Sequence, residues 1–335
     1  MQPAVDPQPG QGARRAAATA DALSNSAGAN ADKAFRGLAM AAGLTVLVVL
    51  ALITYSTTES AWPAFTKYGT QYFFSTDWRP NQKQFGILGF AWGTAVISLI
   101  GILLAVPVSV GIALFATEVA PRRLRSSITT VMDLLASVPS VVFGLVGFII
   151  LKAPLQHLFR SLGDAVSGIP ILRSLFGQGS SGTSLLTAGI VLAIMITPII
   201  TTVSREVFDT VPRNDKEGAL ALGATRSEMI NSVVIPHSLG GLTGAVMLGL
   251  GRAMGETIAV TLLIGGVSSP NITIDLLAPS DAMPAGIARY LPEASGDFRA
   301  ALIGLGVTLF VITLAVNIGS RRIIELVDRR LKGSM

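Results

Sequence analysis

The chain has 335 residues, of which half are hydrophobic and only 13% charged, with a mean hydropathy of +0.61. That is too little charge to clothe a soluble surface of this size, so a soluble globular protein is excluded and a polytopic membrane protein is implied. Cysteine is absent and histidine is confined to His157 and His237, which excludes thiolate chemistry and disulfides and argues against a histidine metal site; the net charge of +5 takes its meaning from where the basic residues lie.

Residues 1–32 are rich in Ala, Gln, Pro, Gly and Ser without apolar periodicity, so a disordered tail is expected, and no apolar core near Met1 suggests a signal peptide. From 33 to 330 the sequence reads as an all-α integral membrane domain with six spans, at about 38–55, 85–115, 127–151, 185–203, 239–267 and 300–319, each long enough for roughly 30 Å of hydrocarbon. Residues 331–335 form a short tail. Between the first two spans lies a polar stretch, 57–84, expected to be a loop whose aromatics (Trp62, Phe65, Tyr68, Tyr72, Phe73, Phe74, Trp78) suit a membrane interface. After the third span, Leu155, Leu158, Phe159, Leu162 and Val166 recur at helical spacing in a polar background, predicting an extracytoplasmic helix that lies in the interface.

Lys and Arg are about twice as frequent on the side that carries both termini and the segment 212–236 as on the other. The positive-inside rule places that side in the cytoplasm, so the basic charge reports topology and gives no argument for nucleic-acid binding.

Segment 212–236, PRNDKEGALALGATRSEMINSVVIP, is polar between two apolar runs. Asn214 with Glu217, and Thr225 with Glu228, have the spacing of capping boxes, so two short helices are expected: one from Asp215 to a stop at Gly223, the second ended by Pro236. A helix-Gly-helix held by the membrane at both ends suits protein docking. Only Lys216 and Arg226 are basic within 214–235, too few for a DNA-reading helix-turn-helix.

Arg252 and Glu256 lie in the fifth span, where a central arginine costs about 2.5 to 3.5 kcal/mol on insertion scales. At i and i+4 on one helix they would share a face and neutralise each other against a water-lined pathway, with Arg252 offering a guanidinium fork to an oxyanion and Glu256 restraining it otherwise. An ion pair that only locks neighbouring spans is the structural alternative. Gly251 and Gly255 suggest close approach of another helix. Gly177, Gly179 and Gly182 fit G-x-G-x-x-G without a preceding strand, Asn271-Ile272-Thr273 is a sequon by pattern only, and no P-loop motif occurs.

Glu217, Gly218, Ala219, Gly223, Val233, Ile235 and Pro236 resemble, at every spacing, the EAA signature of ABC importer permeases, with Gly218, Val233 and Ile235 as small or branched-apolar exchanges. RAMGETIAV, ALGATRSEMI, DLLASVPSVVFGLVG and FFSTDWRP extend the resemblance, over about 35–325, to phosphate-specific ABC transporter permeases of the PstC type. That resemblance implies a type I ABC importer permease architecture in a bacterial inner membrane, with segment 212–236 as the coupling helix that enters a cleft on an ATPase. It also implies a second homologous permease, two ATPase copies that bind ATP and Mg, and an extracytoplasmic phosphate-binding protein; this chain itself would hold no cofactor and be no enzyme. Arg252 and Glu256, with the adjoining Thr257, would lie on the substrate pathway. Another oxyanion, sulfate or molybdate, or a proton-coupled secondary carrier, are the alternative readings.

Overall fold

The structure, a computed structural model, describes residues 26–166, 168–177 and 182–332, and divides into two units, 1–57 and 58–335. Six helical segments are long and apolar enough to cross a membrane: 31–74, 88–119, 140–165, 185–209, 226–255 and 296–322.

Helix α1 (Ser26–Phe74) accounts for the described part of the first unit and opens the second. It corrects two expectations. Helix begins at Ser26, inside the stretch read as a tail to residue 32, because an Ala-rich sequence leads straight into the apolar run; residues 1–25 lie outside the described chain. The stretch read as a loop from 57 is helical to Phe74, with a kink at Gly69 (φ 52, ψ −132). Its aromatics divide by helical face: Tyr72 is buried while Trp62 and Phe74 stay exposed. A two-stranded hairpin follows, β1 (Trp78–Arg79) antiparallel to β2 (Gln84–Phe85) with Trp78 opposite Phe85. Trp78 stacks edge-on against Phe85 and Phe90, and the Tyr72 hydroxyl donates to the Ala301 carbonyl at 2.7 Å, so this aromatic cluster joins the hairpin to the start of the last span.

Helix α2 (Leu88–Leu114) ends in a π-turn, Phe115–Val119. The third span differs from its expected 127–151. Helix α3 (Arg122–Ser137) buries no residue, and Val138 and Pro139 are extended before α4 (Ser140–Val146). Proline lacks an N–H and drives the preceding residue out of the helical region, so Pro139 divides the run and moves the crossing to 140–165. The separate helix expected to lie in the interface around 155–166 is not found: α5 (Lys152–Val166) continues α4 through a π-turn, Gly147–Leu151, without a break and falls within the crossing segment 140–165. Helix α6 (Pro170–Leu175) is short and lies outside the six crossing segments.

Helix α7 (Leu185–Asp209) is the centre of the main core, where Leu192, Ile196 and Ile200 pack with Ile97 and Ala105 of α2. Its first turn is fully accounted for. Ser184 caps Thr187, and the backbone N–H groups of Leu185 and Leu186 donate to Ala278 and Leu276 in a distant loop. Helices α8 (Arg213–Ala221) and α9 (Arg226–Met229), a π-turn (Ile230–Val234) and α10 (Ile235–Gly255) come next, then α11 (Ile258–Leu263), α12 (Met283–Tyr290) and α13 (Gly296–Lys332). The last span, 296–322, therefore exceeds 300–319 at both ends, and its helix continues into the segment read as a tail, of which 333–335 lie outside the described residues.

Candidate functional site

The segment between α7 and α10 forms two helices, with its punctuation only half as read from the sequence. Helix α8 starts at Arg213 behind Pro212, and no side chain caps it, so the Asn214–Glu217 box does not form. Pro212, at φ −57 and ψ 133, is already in the conformation that enters a helix, which leaves Asn214 inside the first turn. The stop at Gly223 is complete. Gly223 has φ +90, its N–H reaches the Leu220 carbonyl at 3.0 Å, and the Ala224 N–H reaches the Ala219 carbonyl at 3.1 Å, the paired bonds of a Schellman turn. The second box forms in full: Thr225 N–H donates to Glu228 Oε2 at 2.7 Å and Glu228 N–H donates to Thr225 Oγ1 at 3.3 Å.

Pro236 does not end the second helix. The chain is helical from Arg226 to Gly255, with Pro236 in the first turn of α10 and the π-turn just before it. Widening that turn, with Ile235 N–H bonded to the Ile230 carbonyl five residues back, accommodates a residue that cannot donate and would crowd an ordinary turn. The segment is seated on the membrane domain by a buried cluster of Ala113, Phe208, Val211, Met229 and Val234, against which Ala219 and Val233 pack. Lys216 Nζ donates to Glu118 Oε1 at 2.5 Å and to the Phe208 carbonyl at 3.3 Å, with both charged side chains largely buried. Outward, Glu217, Gly218 and Gly223 are exposed, no atom stands near where a Cβ on either glycine would lie, and Leu222 is 91% exposed.

The charged pair of the fifth span is rearranged. Helix α10 stops at Gly255 and Glu256 is extended (ψ 125), so the expectation that Arg252 and Glu256 share a face and neutralise each other is not met. Glu256 Oε1 instead accepts from the Ala259 N–H at 3.3 Å, capping the first turn of α11, and Glu256 is buried. Thr257 Oγ1 donates to the Gly255 carbonyl at 3.2 Å and bridges the break. Arg252 is exposed and, among the described residues, no carboxylate lies within 4 Å of it. It lines a cavity of about 1040 Å³ between α7, α10 and α13, with Ile199, Gly244, Leu248, Gly251, Asn317 and Arg321 among the walls. Gly251 and Gly255 face open space rather than a packed helix. Close approach occurs instead at Gly249 and Gly241, where a Cβ would lie 2.6 Å from Ile200 and 2.5 Å from Val207.

Sequence reading missed Lys216 with Glu118, and Asn317 with Arg321. A buried pair 98 residues apart has no local signal, whereas a polar residue four before an arginine in an otherwise apolar run was visible. Of the G-x-G-x-x-G glycines, Gly179 lies outside the described residues, and the Gly177 N–H donates to Asp275 Oδ1 at 3.0 Å, a tie between loops.

A further loop site sits before α12. Asp281, fully buried, accepts from the Ala282 N–H and from Arg289, whose guanidinium also reaches the Thr261 carbonyl. Burial pushes the Asp281 carboxyl up to about 6, with Arg289 opposing the rise.

Residues 105–333 match the family described as binding-protein-dependent transport system inner membrane component. "Phosphate transport system permease protein PstC" of Mesorhizobium japonicum is 40% identical over 301 residues, covering 89% of this chain and 91% of that protein. The protein of the same name from Haemophilus influenzae is 41% identical over 282 residues, covering 84% and 89%. The chain belongs to the PstC-type permeases of this family. A PstC-type permease is a multi-pass inner-membrane component that works in a complex with other ABC subunits and is not itself an enzyme. Solved structures agree on the fold: a chain of a bacterial alginate ABC transporter superposes with a TM-score of 0.55 at 15% identity, covering 87% of this chain and 95% of that one. A chain of the MetNI methionine ABC transporter gives 0.51 at 14% identity, covering 70% and 93%.

Proposed function

We propose that this PstC-type permease forms half of the translocation pathway of an ATP-driven importer of inorganic phosphate. The observation that carries the proposal is Arg252: a guanidinium in the last turn of a membrane-crossing helix, without an acidic partner among the described residues, facing a cavity of about 1040 Å³. An unpaired guanidinium in a low-dielectric wall favours an oxyanion, with bidentate hydrogen bonding available to phosphate. The names carried by relatives at about 40% identity support phosphate among oxyanions.

A second homologous permease closes the open side of the cavity, and an extracytoplasmic phosphate-binding protein delivers the ion. Of two ATPase copies, which hold ATP and Mg, one docks on Glu217, Gly218 and Gly223, where the exposed Leu222 enters its cleft, while Ala219 keeps this segment thin and packs on the seat beneath. Val233, Ile235 and Pro236 form the joint through which that motion passes into α10, since one continuous helix carries Arg226 and Arg252. Both termini and the coupling segment are cytoplasmic. Glu256 and Thr257 shape the break beside Arg252, and Glu256, engaged with the Ala259 N–H, does not restrain the guanidinium.

The test is phosphate uptake by the complex reconstituted in proteoliposomes. Arg252→Gln is expected to abolish uptake while the subunits still co-purify; normal uptake removes Arg252 from the pathway. Competition by excess sulfate or molybdate as strong as that by phosphate would reassign the substrate.

A further inference from the structure

The cavity lined by Arg252 has a second guanidinium toward its other end. Arg321 and Asn317 on α13 line the same space, along with Gly240, Gly244 and Leu248 of α10. Consecutive spans cross in opposite directions, so the end of α13 and the start of α10 lie on one side of the membrane, that of the coupling segment. Arg252 is 12 residues beyond Gly240 on the same helix, about 18 Å deeper at 1.5 Å per residue. Asn317 and Arg321 are four apart on α13 and share a face, so an amide and a guanidinium point into one region of the cavity. No carboxylate lies within 4 Å of Arg321 among the residues whose side chains are described.

An anion held by one arginine leaves it more readily when a second set of donors nearer to water can take it over. We propose that Arg321 and Asn317 form a second oxyanion station at the cytoplasmic mouth of the pathway, which receives the anion from Arg252 and passes it to water. The proposal rests on the assignment of Arg252 to the pathway. The guanidinium supplies charge and two parallel donors, the Asn317 amide a further donor, and the Gly240 and Gly244 wall leaves room for a hydrated ion.

Arg322 provides the internal control. It is adjacent and exposed, contributes the same charge to the membrane edge and does not line the cavity. Uptake of inorganic phosphate by the reconstituted complex should fall about tenfold in Arg321→Gln, the order expected for losing one charge-assisted hydrogen bond, and stay near wild type in Arg322→Gln. Asn317→Asp, which leaves every arginine in place, should also fall about tenfold because its carboxylate occupies Arg321 and repels the anion; it covers the case in which Arg321→Gln does not assemble. Equal losses in Arg321→Gln and Arg322→Gln would reduce Arg321 to a topology charge and overturn the station, as would wild-type uptake in Arg321→Gln or in Asn317→Asp. Loss in Arg252→Gln beside normal uptake in both α13 variants would overturn the station alone. Normal uptake in Arg252→Gln and Arg321→Gln together would overturn the pathway itself.

Discussion

Arg252 and Glu256 stand four residues apart and meet opposite fates. Glu256 is buried, its carboxylate bound to the Ala259 N–H at the start of a new helix, while Arg252 is left exposed to a cavity without a countercharge among the described residues. The difference separates charges engaged within the chain from charges left available to something else. Engaged groups complete the fold: Glu256 at a helix start, Lys216 with Glu118 under the coupling segment, Asp281 with Arg289 in a loop. Available groups have no such work, and in a membrane the cost of keeping them there points to transport.

The contrast breaks most sharply at its two poles. Arg252→Gln should eliminate uptake, whereas Glu256→Gln keeps an oxygen that can accept from Ala259 and should retain uptake within a few-fold, both read by phosphate uptake in proteoliposomes. Equal losses would return the two residues to one functional unit. Next comes the engaged pair at the coupling segment. Lys216→Met leaves Glu118 buried and unpaired, which should destabilise the seat by about 3 kcal/mol, seen as looser attachment of the ATPase and lower uptake per ATP hydrolysed. Exchanging the charges, Lys216→Glu with Glu118→Lys, should recover part of that loss, and no recovery would mean that each residue acts alone.

Asp281 sharpens the contrast through pH. Its folded pKa, about 6, lies above the ordinary 3.8, so the folded chain favours the protonated acid. The associated stability is complete below about pH 3.8 and is lost as pH rises through about 6. Thermal unfolding of the detergent-solubilised complex should therefore show a decline across pH 4 to 6.5 that is absent in Asp281→Asn. The smallest effects concern backbone punctuation: Gly223→Ala, at φ +90, and Thr225→Ala, which removes a formed cap, should each cost about 1 kcal/mol in the coupling segment, measured by hydrogen exchange of residues 213–229.

What could be read from the sequence follows the range of the interactions that decide it. Six long apolar runs, the Gly223 stop and the Thr225–Glu228 cap are local, and each was legible. The failures arose where a longer contact or a backbone rearrangement competed with the local signal. Pro236 has the mark of a helix end, yet the π-turn before it and the seat of Phe208, Met229 and Val234 keep the helix continuous. Glu256 has the mark of a helix interior, yet capping Ala259 after Gly255 breaks the span there. Pro139 was visible and undervalued, so the third crossing was placed about a dozen residues too early. For the site, Arg252 was legible as a charge in a span, but its lack of a partner depends on the conformation of Glu256.

Leu222 has a further implication for the life of the protein before assembly. On the docking surface proposed above, this side chain, 91% exposed, stands in water until an ATPase subunit covers it. Burying a leucine is worth about 1.5 to 3 kcal/mol, so the unassembled permease displays a sticky handle on its cytoplasmic side that vanishes on joining the complex. Quality-control proteases that recognise exposed apolar residues in polar loops would then distinguish orphan permeases from assembled ones by this residue, and the same knob that receives force during transport would mark unused copies for removal.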